Sequence, residues 1–438
     1  MKQLNVDVIV GALWGDEGKG KYVASICHHY DAILRVNAST NAGHCVDDGE
    51  NHYITRQLPS CFFPENIDLV VAPGALLNLP KMMEEIEQRP DVAELRGKLK
   101  IASSLSLVLD PYILKCHGKQ SQLIGSTHQG TGPSAVARCA RHSLRLYDIE
   151  AAINGDSSIA DKIAHTTRET LPGCFDEDSK ENKSYFQKVL DANIAAFKRI
   201  EELIGPFCVD YTRYLAEDLR CHKKRVLIEG CNGLLLDNIH GALPHTTSAP
   251  TNLGAMICGA NFAPQEVVNS IVVTAAYATC LGKRPFPTEM TKQEAQHFYD
   301  NCNETDCAEA IRRRLGWLDI PALRKALVGS ANATLHINKL DVFSGLKSIK
   351  VCTHYMIEGQ KVSYMPDNPH TLKHAEPYYE ILPGWSESLS GTKKFSDLPK
   401  EAQLYIQKIE EWLGFKVTSL GTGPRNDDLI TDIHNHTC

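Results

Sequence analysis

The 438 residues predict an α/β protein: one large domain over residues 1–438, built on a mostly parallel central sheet flanked by helices. Three observations carry that expectation. Short β-branched runs bounded by Gly, Pro or Asn recur along the chain, and segments of helical length separate many of them, as βαβ crossovers require. The first run stops at a glycine-rich loop that opens a helix, the order in which α/β proteins cradle phosphate. Further on, apolar residues recur at helical spacing, the pattern of core-facing helices.

Taken in chain order, the first strand covers residues 6–13, and Gly15-Asp16-Glu17-Gly18-Lys19-Gly20-Lys21 leads from it into a helix at Tyr22. Apolar runs at 32–36, 69–72, 100–109, 225–228, 270–276 and 335–337 read as the remaining strands. The polar stretches 176–184 and 300–306 read as exposed loops. Val189, Ile194, Phe197, Ile200 and Leu203 mark a helix within 186–219, and Leu404, Ile406, Ile409 and Trp412 mark another. The chain shows no internal repeat, no low-complexity tract and no linker long enough to force a domain boundary.

Composition narrows the function classes. With 46 Lys+Arg against 53 Asp+Glu the net charge is -7, so the overall field repels nucleic acid and anionic membrane, and neither is expected as a partner. The 15 Cys are scattered without CxxC pairs, which fits a reducing compartment. No apolar run approaches the ~18 residues of a membrane helix, and a cytoplasmic location is expected. Cys27-His28-His29, Cys116-His117 and His434-Asn435-His436-Thr437-Cys438 lack the paired spacing of structural zinc sites, so no zinc is expected.

Several loops carry chemistry. The first satisfies G-x-x-x-x-G-K but continues with Tyr22, where a P-loop supplies a hydroxyl to magnesium. Its glycines, Lys19, Lys21 and the helix N-terminus still suit a phosphate, and Asp16 is the nearest hard-oxygen ligand for the metal. Asn338-Lys339-Leu340-Asp341 follows a strand, and a carboxylate there can accept from guanine N1–H and the exocyclic amine together, a pair that adenine does not offer. Asn41-Ala42-Gly43-His44 also follows a strand, where open α/β sheets put their ligands. Gly125 to Pro133 and Thr246-Thr247-Ser248 add hydroxyls; Arg138, Arg141 and Arg145 fall at helical spacing, as if on one face. Arg312-Arg313-Arg314 could be a solvated run or could clamp carboxylates.

In order and in composition these segments resemble the adenylosuccinate synthetase family, purine-pathway ligases that join IMP and aspartate using GTP. The residues that carry the resemblance are Trp14 to Lys21, Asn41 to His44, Gly125 to Pro133, Glu229 to Ser248, Pro285-Phe286-Pro287-Thr288-Glu289, Arg312 to Asp319, Lys339-Leu340-Asp341 and Gly421-Thr422-Gly423-Pro424. The resemblance implies a P-loop-like GTP-binding ligase fold and two chemical steps. Asp16 would take the N1 proton of IMP while the γ-phosphoryl of GTP moves to O6, Lys19 neutralising the phosphoryl and His44 acting as acid toward the GDP oxygen. The amine of L-aspartate would then displace phosphate at C6.

By the same resemblance Asp16 and the Gly43 carbonyl would hold Mg2+. Gly15, Glu17, Gly18, Gly20, Lys21, Lys339, Asp341, Gly421 and Gly423 would bind GTP. Asn41, Thr127 and Thr247 would take the 5′-phosphate of IMP with Arg141 of a second subunit in a homodimer, and Asn232, Arg312 and Arg313 would complete the substrate site. The chain departs from the family pattern in three places. Asn232 stands for the usual Gln, Ala308-Glu309-Ala310-Ile311 for a Thr-Thr-Gly-Arg run in the loop that grips aspartate, and Val36-Asn37-Ala38-Ser39-Thr40 for a glycine-rich lead-in. Two alternatives stay open on sequence: a paralogue that activates a purine 6-oxo group for a different amine or a different purine monophosphate, and a GTP-binding switch protein.

Overall fold

The computed structural model describes residues 4–115, 127–175, 179–302, 304, 312–431 and 433. Ten strands make the central sheet. They are β1 (Asn5–Gly11), β2 (Ala32–Arg35), β3 (Asp68–Val71), β4 (Leu99–Ala102), β5 (Cys208–Val209), β6 (Arg225–Gly233), β7 (Val267–Ala275), β8 (Thr334–Asn338), β9 (Val417–Gly421) and β10 (Leu429–Thr431). Their spatial order is β10-β9-β8-β7-β1-β6-β2-β3-β4-β5. Every neighbouring pair is parallel except β9 with β10. Helices lie between the strands, so both faces are covered, and a parallel strand covered on both faces needs apolar residues throughout. Thus β2 is buried at all four positions, and Val8, Ile9, Ile228, Val272, Leu335 and Ile337 are each fully buried.

The early crossovers run to one side of β1 through β2, β3 and β4, and the later ones to the other through β7, β8 and β9. The order reverses at β1, and a crevice opens at such a reversal beyond the carboxyl ends of the strands. Register places the ends together: Gly11 pairs with Gly233 and with Val273, and Ala275 with Asn338. The 15–21 loop after β1, the 37–44 loop after β2, the 234–248 segment after β6 and the segment after β8 that carries Lys339 and Asp341 all leave from carboxyl ends of the sheet.

The structure corrects several boundaries. The run at 100–109 is two strands, β4 and a short one at Ser106–Leu107 paired with Leu76–Leu77. The helix marked by Val189 and Phe197 is Lys180–Ile204; it begins inside the stretch read as a loop because the hydroxyl of Ser179 accepts from the backbone of Asn182 and caps it. It also ends earlier than residue 219, at Gly205, and a short helix Tyr211–Arg213 with a π-helical turn Tyr214–Arg220 follows. The second polar stretch likewise begins inside a helix, Lys292–Asn301. Beyond the main sheet, Ser348–Ile357 pairs with Glu376–Pro383, Gln360–Val362 and Leu318–Asp319 in a small mixed sheet. A hairpin, His44–Asp47 with His52–Thr55, projects from the end of β2.

Candidate active site

The first loop is held in shape by one of its own side chains. Backbone N–H groups of Leu13 and Gly15 both donate to Oε1 of Glu17 at 2.9 Å, and Lys19 donates to Oε2 at 2.8 Å. Glu17 and Lys19 are buried, so this pair fixes the turn from which helix α1 (Lys19–Ile26) starts. Gly18 takes φ +82° at the N-cap, and no side chain caps the helix there, which leaves its first N–H groups for an anion. Lys21, by contrast, is turned to the far end of the chain, donating to the carbonyls of Gly423 at 2.5 Å and Asp428 at 2.9 Å. Burial lowers its pKa to about 8.

Close packing brings the other loops to this turn. A Cβ on Gly20 would stand 2.6 Å from Cβ of His44, so only glycine lets the first turn of α1 press against the Gly43–His44 segment. Nδ2 of Asn338 donates at 3.0 Å to the carbonyls of both Glu17 and Gly18, tying the end of β8 to the phosphate loop. Asp341, a few residues on, is half-buried; burial pushes its carboxyl up, with Lys21 opposing. Gly421 lies against Asn338, where a Cβ would come within 2.1 Å of Oδ1. The guanine-type tetrapeptide, the phosphate loop and the 421–424 turn therefore form one wall.

At the opposite wall His44 belongs to a buried cluster that sequence alone does not reveal. Its Nδ1 lies 2.5 Å from Oε1 of Glu229, 185 residues away, and 2.7 Å from Nη1 of Arg35. The Glu229 carboxylate also accepts from Arg35 at 2.8 Å, from the Ser60 hydroxyl at 2.6 Å and from the Ser60 backbone at 2.8 Å. Burial would raise Glu229, but Arg35 and His44 prevail and hold it at about 2. Burial together with Arg35 lowers His44 to about 4, so the ring is neutral at pH 7. The carboxylate is the nearer neighbour of Nδ1, so the proton sits between them and Nε2 is left for the site.

Asp16, with φ +60°, carries its carboxylate on the crest of the loop, where Nε of Arg313 pairs with it at 2.8 Å. Arg313 also reaches Glu304 at 3.3 Å, and Lys339 reaches the same carboxylate at 2.5 Å, with the Tyr277 hydroxyl donating to it as well. Asp16, Arg313, Glu304 and Lys339 thus form a chain of alternating charge across the crevice. Arg312 stands apart, exposed, its guanidinium 4.2 Å from the centre of the Tyr299 ring.

A polar corner completes the site. Asn37 at the end of β2 donates to the carbonyls of Cys231 and Pro250 and accepts from Cys231, joining the 37–41 loop to 231–250. Asn41 accepts from the backbone of Ser39 at 3.0 Å. Gly132 faces Ser248, a Cβ there standing 3.3 Å from its hydroxyl, so the start of the helix with Thr131 meets the 246–248 segment. The hydroxyls of Ser39, Thr40 and Thr131 and Nδ2 of Asn232 are buried with no hydrogen-bond partner among the described residues, as expected where a ligand completes the bonding. Ser39, Thr40 and Thr131 carried no role on sequence; being orphaned is a property of packing.

Three arginines expected on one helical face are not on one helix. The helix Thr131–Cys139 ends before Arg141, which has φ +68°, and Arg145 caps the next helix. Arg138 and Arg145 donate to the carbonyls of Gly74 and Ser104, whereas Arg141 is exposed. The Ala308-Glu309-Ala310-Ile311 run, and Gly125 and Ser126, lie outside the described residues.

The model of the adenylosuccinate synthetase family matches residues 8–430. The chloroplastic adenylosuccinate synthetase of Chlamydomonas reinhardtii is 33% identical over 439 residues, covering 97% of this chain and 91% of that protein. The Paramecium tetraurelia adenylosuccinate synthetase is 32% identical over 432 residues, covering 96% of each. The structure of fully ligated adenylosuccinate synthetase from Plasmodium falciparum superposes with a TM-score of 0.88 at 28% identity, over 98% of this chain and all 100% of that one. Succinoaminodeoxyadenylate synthetase of cyanophage S-2L, at 15% identity and a TM-score of 0.60, shares the fold. A family model over residues 8–430, together with relatives 32% and 33% identical over nearly the whole length, shows that the chain belongs to the adenylosuccinate synthetase family of ligases.

Proposed function

We propose that the protein joins IMP and L-aspartate to adenylosuccinate at the expense of GTP, by way of a 6-phosphoryl-IMP intermediate. The observation that carries this reading is the position of Asp16, on the crest of the phosphate loop and in a crevice shared by His44, Asn338 and the polar corner. GTP would lie with its phosphates along the 15–20 turn and its base against Asp341, whose carboxylate can accept from N1–H and the exocyclic amine of guanine. IMP would place its 5′-phosphate in the corner of Asn41, Thr127 and Thr247, among the orphaned hydroxyls, with its ring reaching back to Asp16 and Asn232.

The chemistry follows from that placement. An oxo group is a poor leaving group. Asp16 takes the N1 proton, the O6 that gains the electron pair attacks the γ-phosphorus, and the bond to the GDP oxygen breaks. Lys19 and the loop N–H groups neutralise charge on the moving phosphoryl. His44 meets the charge left on GDP through Nε2: incoming phosphates raise its proton affinity, and Glu229 at Nδ1 stabilises the resulting imidazolium. The amine of aspartate then adds at C6, phosphate leaves with its electron pair, and the attacking nitrogen gives up a proton, so that the product is a secondary amine whose ring N1 carries no proton.

Magnesium fits the donor set, since a carboxylate at Asp16 and a carbonyl at Gly43 are hard oxygens presented without a protein cage, which suits an ion that keeps phosphate oxygens and water. When bound it would draw negative charge from the β- and γ-phosphates. Arg313, paired with Asp16 in the free chain, would pass from that carboxylate to substrate.

A matrix of purine monophosphates against amino acids, scored by phosphate release and product mass with GTP or ATP, tests the reading. Adenylosuccinate from IMP, aspartate and GTP is expected. GTP turnover that needs neither IMP nor an amino acid would overturn it, and equal rates with ATP would remove the guanine assignment.

A further inference from the structure

Among the described residues most buried or half-buried cations around the crevice have a carboxylate, and Lys21 has two carbonyls in its place. Lys19 pairs with Glu17, Arg35 with Glu229, Arg313 with Asp16 and Glu304, Lys339 with Glu304, and Arg314 with Glu289. Arg284 has none among the described residues. Its side chain is only 7% exposed, and Nε and Nη1 are both buried without a hydrogen-bond partner among the described residues. Burial lowers its pKa, and the titratable groups that act on it are the Cys280 thiol and the Arg314 guanidinium, neither of which supplies a carboxylate. A buried guanidinium left in this condition is costly, and an arriving anion relieves the cost.

Its place is beside the reacting groups. The guanidinium lies over the ring of Trp14, 4.9 Å from its centre, and Trp14 is two residues before Asp16. Its own backbone carbonyl accepts from Nη1 of Arg314 at 2.9 Å, and Arg314 follows Arg313, the partner of Asp16. Arg284 is thereby held between the two segments that meet at the candidate base. The stretch 303–311, next to these segments in sequence, reads Asn-Glu-Thr-Asp-Cys-Ala-Glu-Ala-Ile and offers three carboxylates and no Lys or Arg. A dicarboxylate amine needs cations, and that stretch contributes none of its own.

We infer that Arg284 binds a carboxylate of the amino-acid substrate, its planar fork bridging both carboxylate oxygens, and so sets the preference for an acidic amine. The inference rests on the ligase reading above. Phosphate is the competing anion, but that reading places the nucleotide phosphates in the 15–20 turn and in the corner of Asn41 and Thr247. A fork stacked on an aromatic ring is suited to carboxylate in a way that a lysine at the same point is not.

The test compares the full-length protein with Arg284→Met and Arg284→Lys, each checked for native circular dichroism. Steady-state constants are measured for aspartate, IMP and GTP, and succinate is titrated calorimetrically onto enzyme loaded with IMP and GDP. Arg284→Met is expected to raise the KM for aspartate, and the Kd for succinate, about ten- to hundredfold, as loss of a charge-assisted bond does. KM for IMP and GTP should stay within about twofold, and Arg284→Lys should recover part of the loss. If Arg284→Met does not fold, Arg284→Lys reads the same split at smaller size. An active wild type whose variants keep their aspartate and succinate constants overturns the inference alone, and a rise confined to the KM for IMP or GTP overturns it in favour of phosphate. A wild type that makes no product from IMP, aspartate and GTP overturns the ligase reading and the inference with it.

Discussion

At Nδ1 of His44 a carboxylate and a guanidinium meet one imidazole, and the ring's charge depends on which neighbour the surroundings favour. In the free chain burial and Arg35 win, and the pKa falls to about 4 from the 6.5 of a free histidine. The unfolded chain therefore binds a proton below pH 6.5 that the folded chain refuses. Stability from this group is fully present above about pH 6.5 and is lost as the pH falls toward 4, an effect of about 3 kcal/mol. Denaturant titrations of the wild type should show that acid limb, and His44→Gln should flatten it. Glu229→Gln leaves the ring without its counter-charge and should cut kcat about a hundredfold, with KM for IMP little changed. Asp16→Asn keeps the shape of the crest but removes the proton acceptor, so product formation should drop at least about a thousandfold while GTP binds as before. Wild-type turnover in Asp16→Asn would take the base role away from Asp16.

At the scale of elements, the site depends on how closely β1 and β6 approach beneath the phosphate loop. A Cβ on Gly233 would stand 2.2 Å from the Leu13 carbonyl and 2.7 Å from Oε1 of Glu17. Gly233→Ala must push the two strand ends apart and is expected to lower unfolding stability by about 1–3 kcal/mol and to weaken GTP binding through Glu17. Gly329→Ala meets nothing within 4 Å and should stay within about 0.5 kcal/mol of wild type, which makes it the control in the same denaturant titration. Most elements with strong local signals are legible in the residues alone: β1, β2, β3, β6, β7 and β8 are β-branched and apolar because both faces are buried, and the glycine turn after β1 announces itself. The small sheet is not, because its long strand Ser348–Ile357 mixes Lys, Thr and His with apolar residues and is buried only in part. β5 and β10 are too short to show a period. In the site, Asp16, His44 and Asp341 stand in recognisable loops, whereas the partnership of His44 with Glu229 and Arg35 spans separate strands and becomes visible only when β2 and β6 pair. The isolation of Arg284 is equally a fact of packing, since an arginine in a Gly-Lys-Arg-Pro turn reads as solvated.

For the whole molecule the open question is how many chains build one site. Arg138 and Arg145 are consumed by main-chain carbonyls of their own chain, while Arg141 sits exposed at the end of the helix Thr131–Cys139 with a backbone that holds it away from the helix axis. The corner proposed for the 5′-phosphate is rich in orphaned hydroxyls, and that reading takes no arginine for it from the same chain. A symmetric dimer in which Arg141 crosses to the neighbour's corner would satisfy both facts, because a two-fold interface gives each chain what it supplies to the other. The arrangement has a consequence that a site built from one chain lacks. Asp16→Asn and Arg141→Ala should each be inactive or nearly so alone. In a mixed dimer one site would carry both defects and the other neither, since the intact Asp16 and the intact Arg141 then come from different chains. Random re-association of equal amounts makes half of the dimers mixed, each with one sound site, so the mixture should recover about a quarter of wild-type activity. Recovery should follow the rate of subunit exchange, measured by mass photometry or by tagged-chain capture. No recovery in a mixture shown to contain mixed dimers would mean that each chain completes its own phosphate site and that Arg141 serves none.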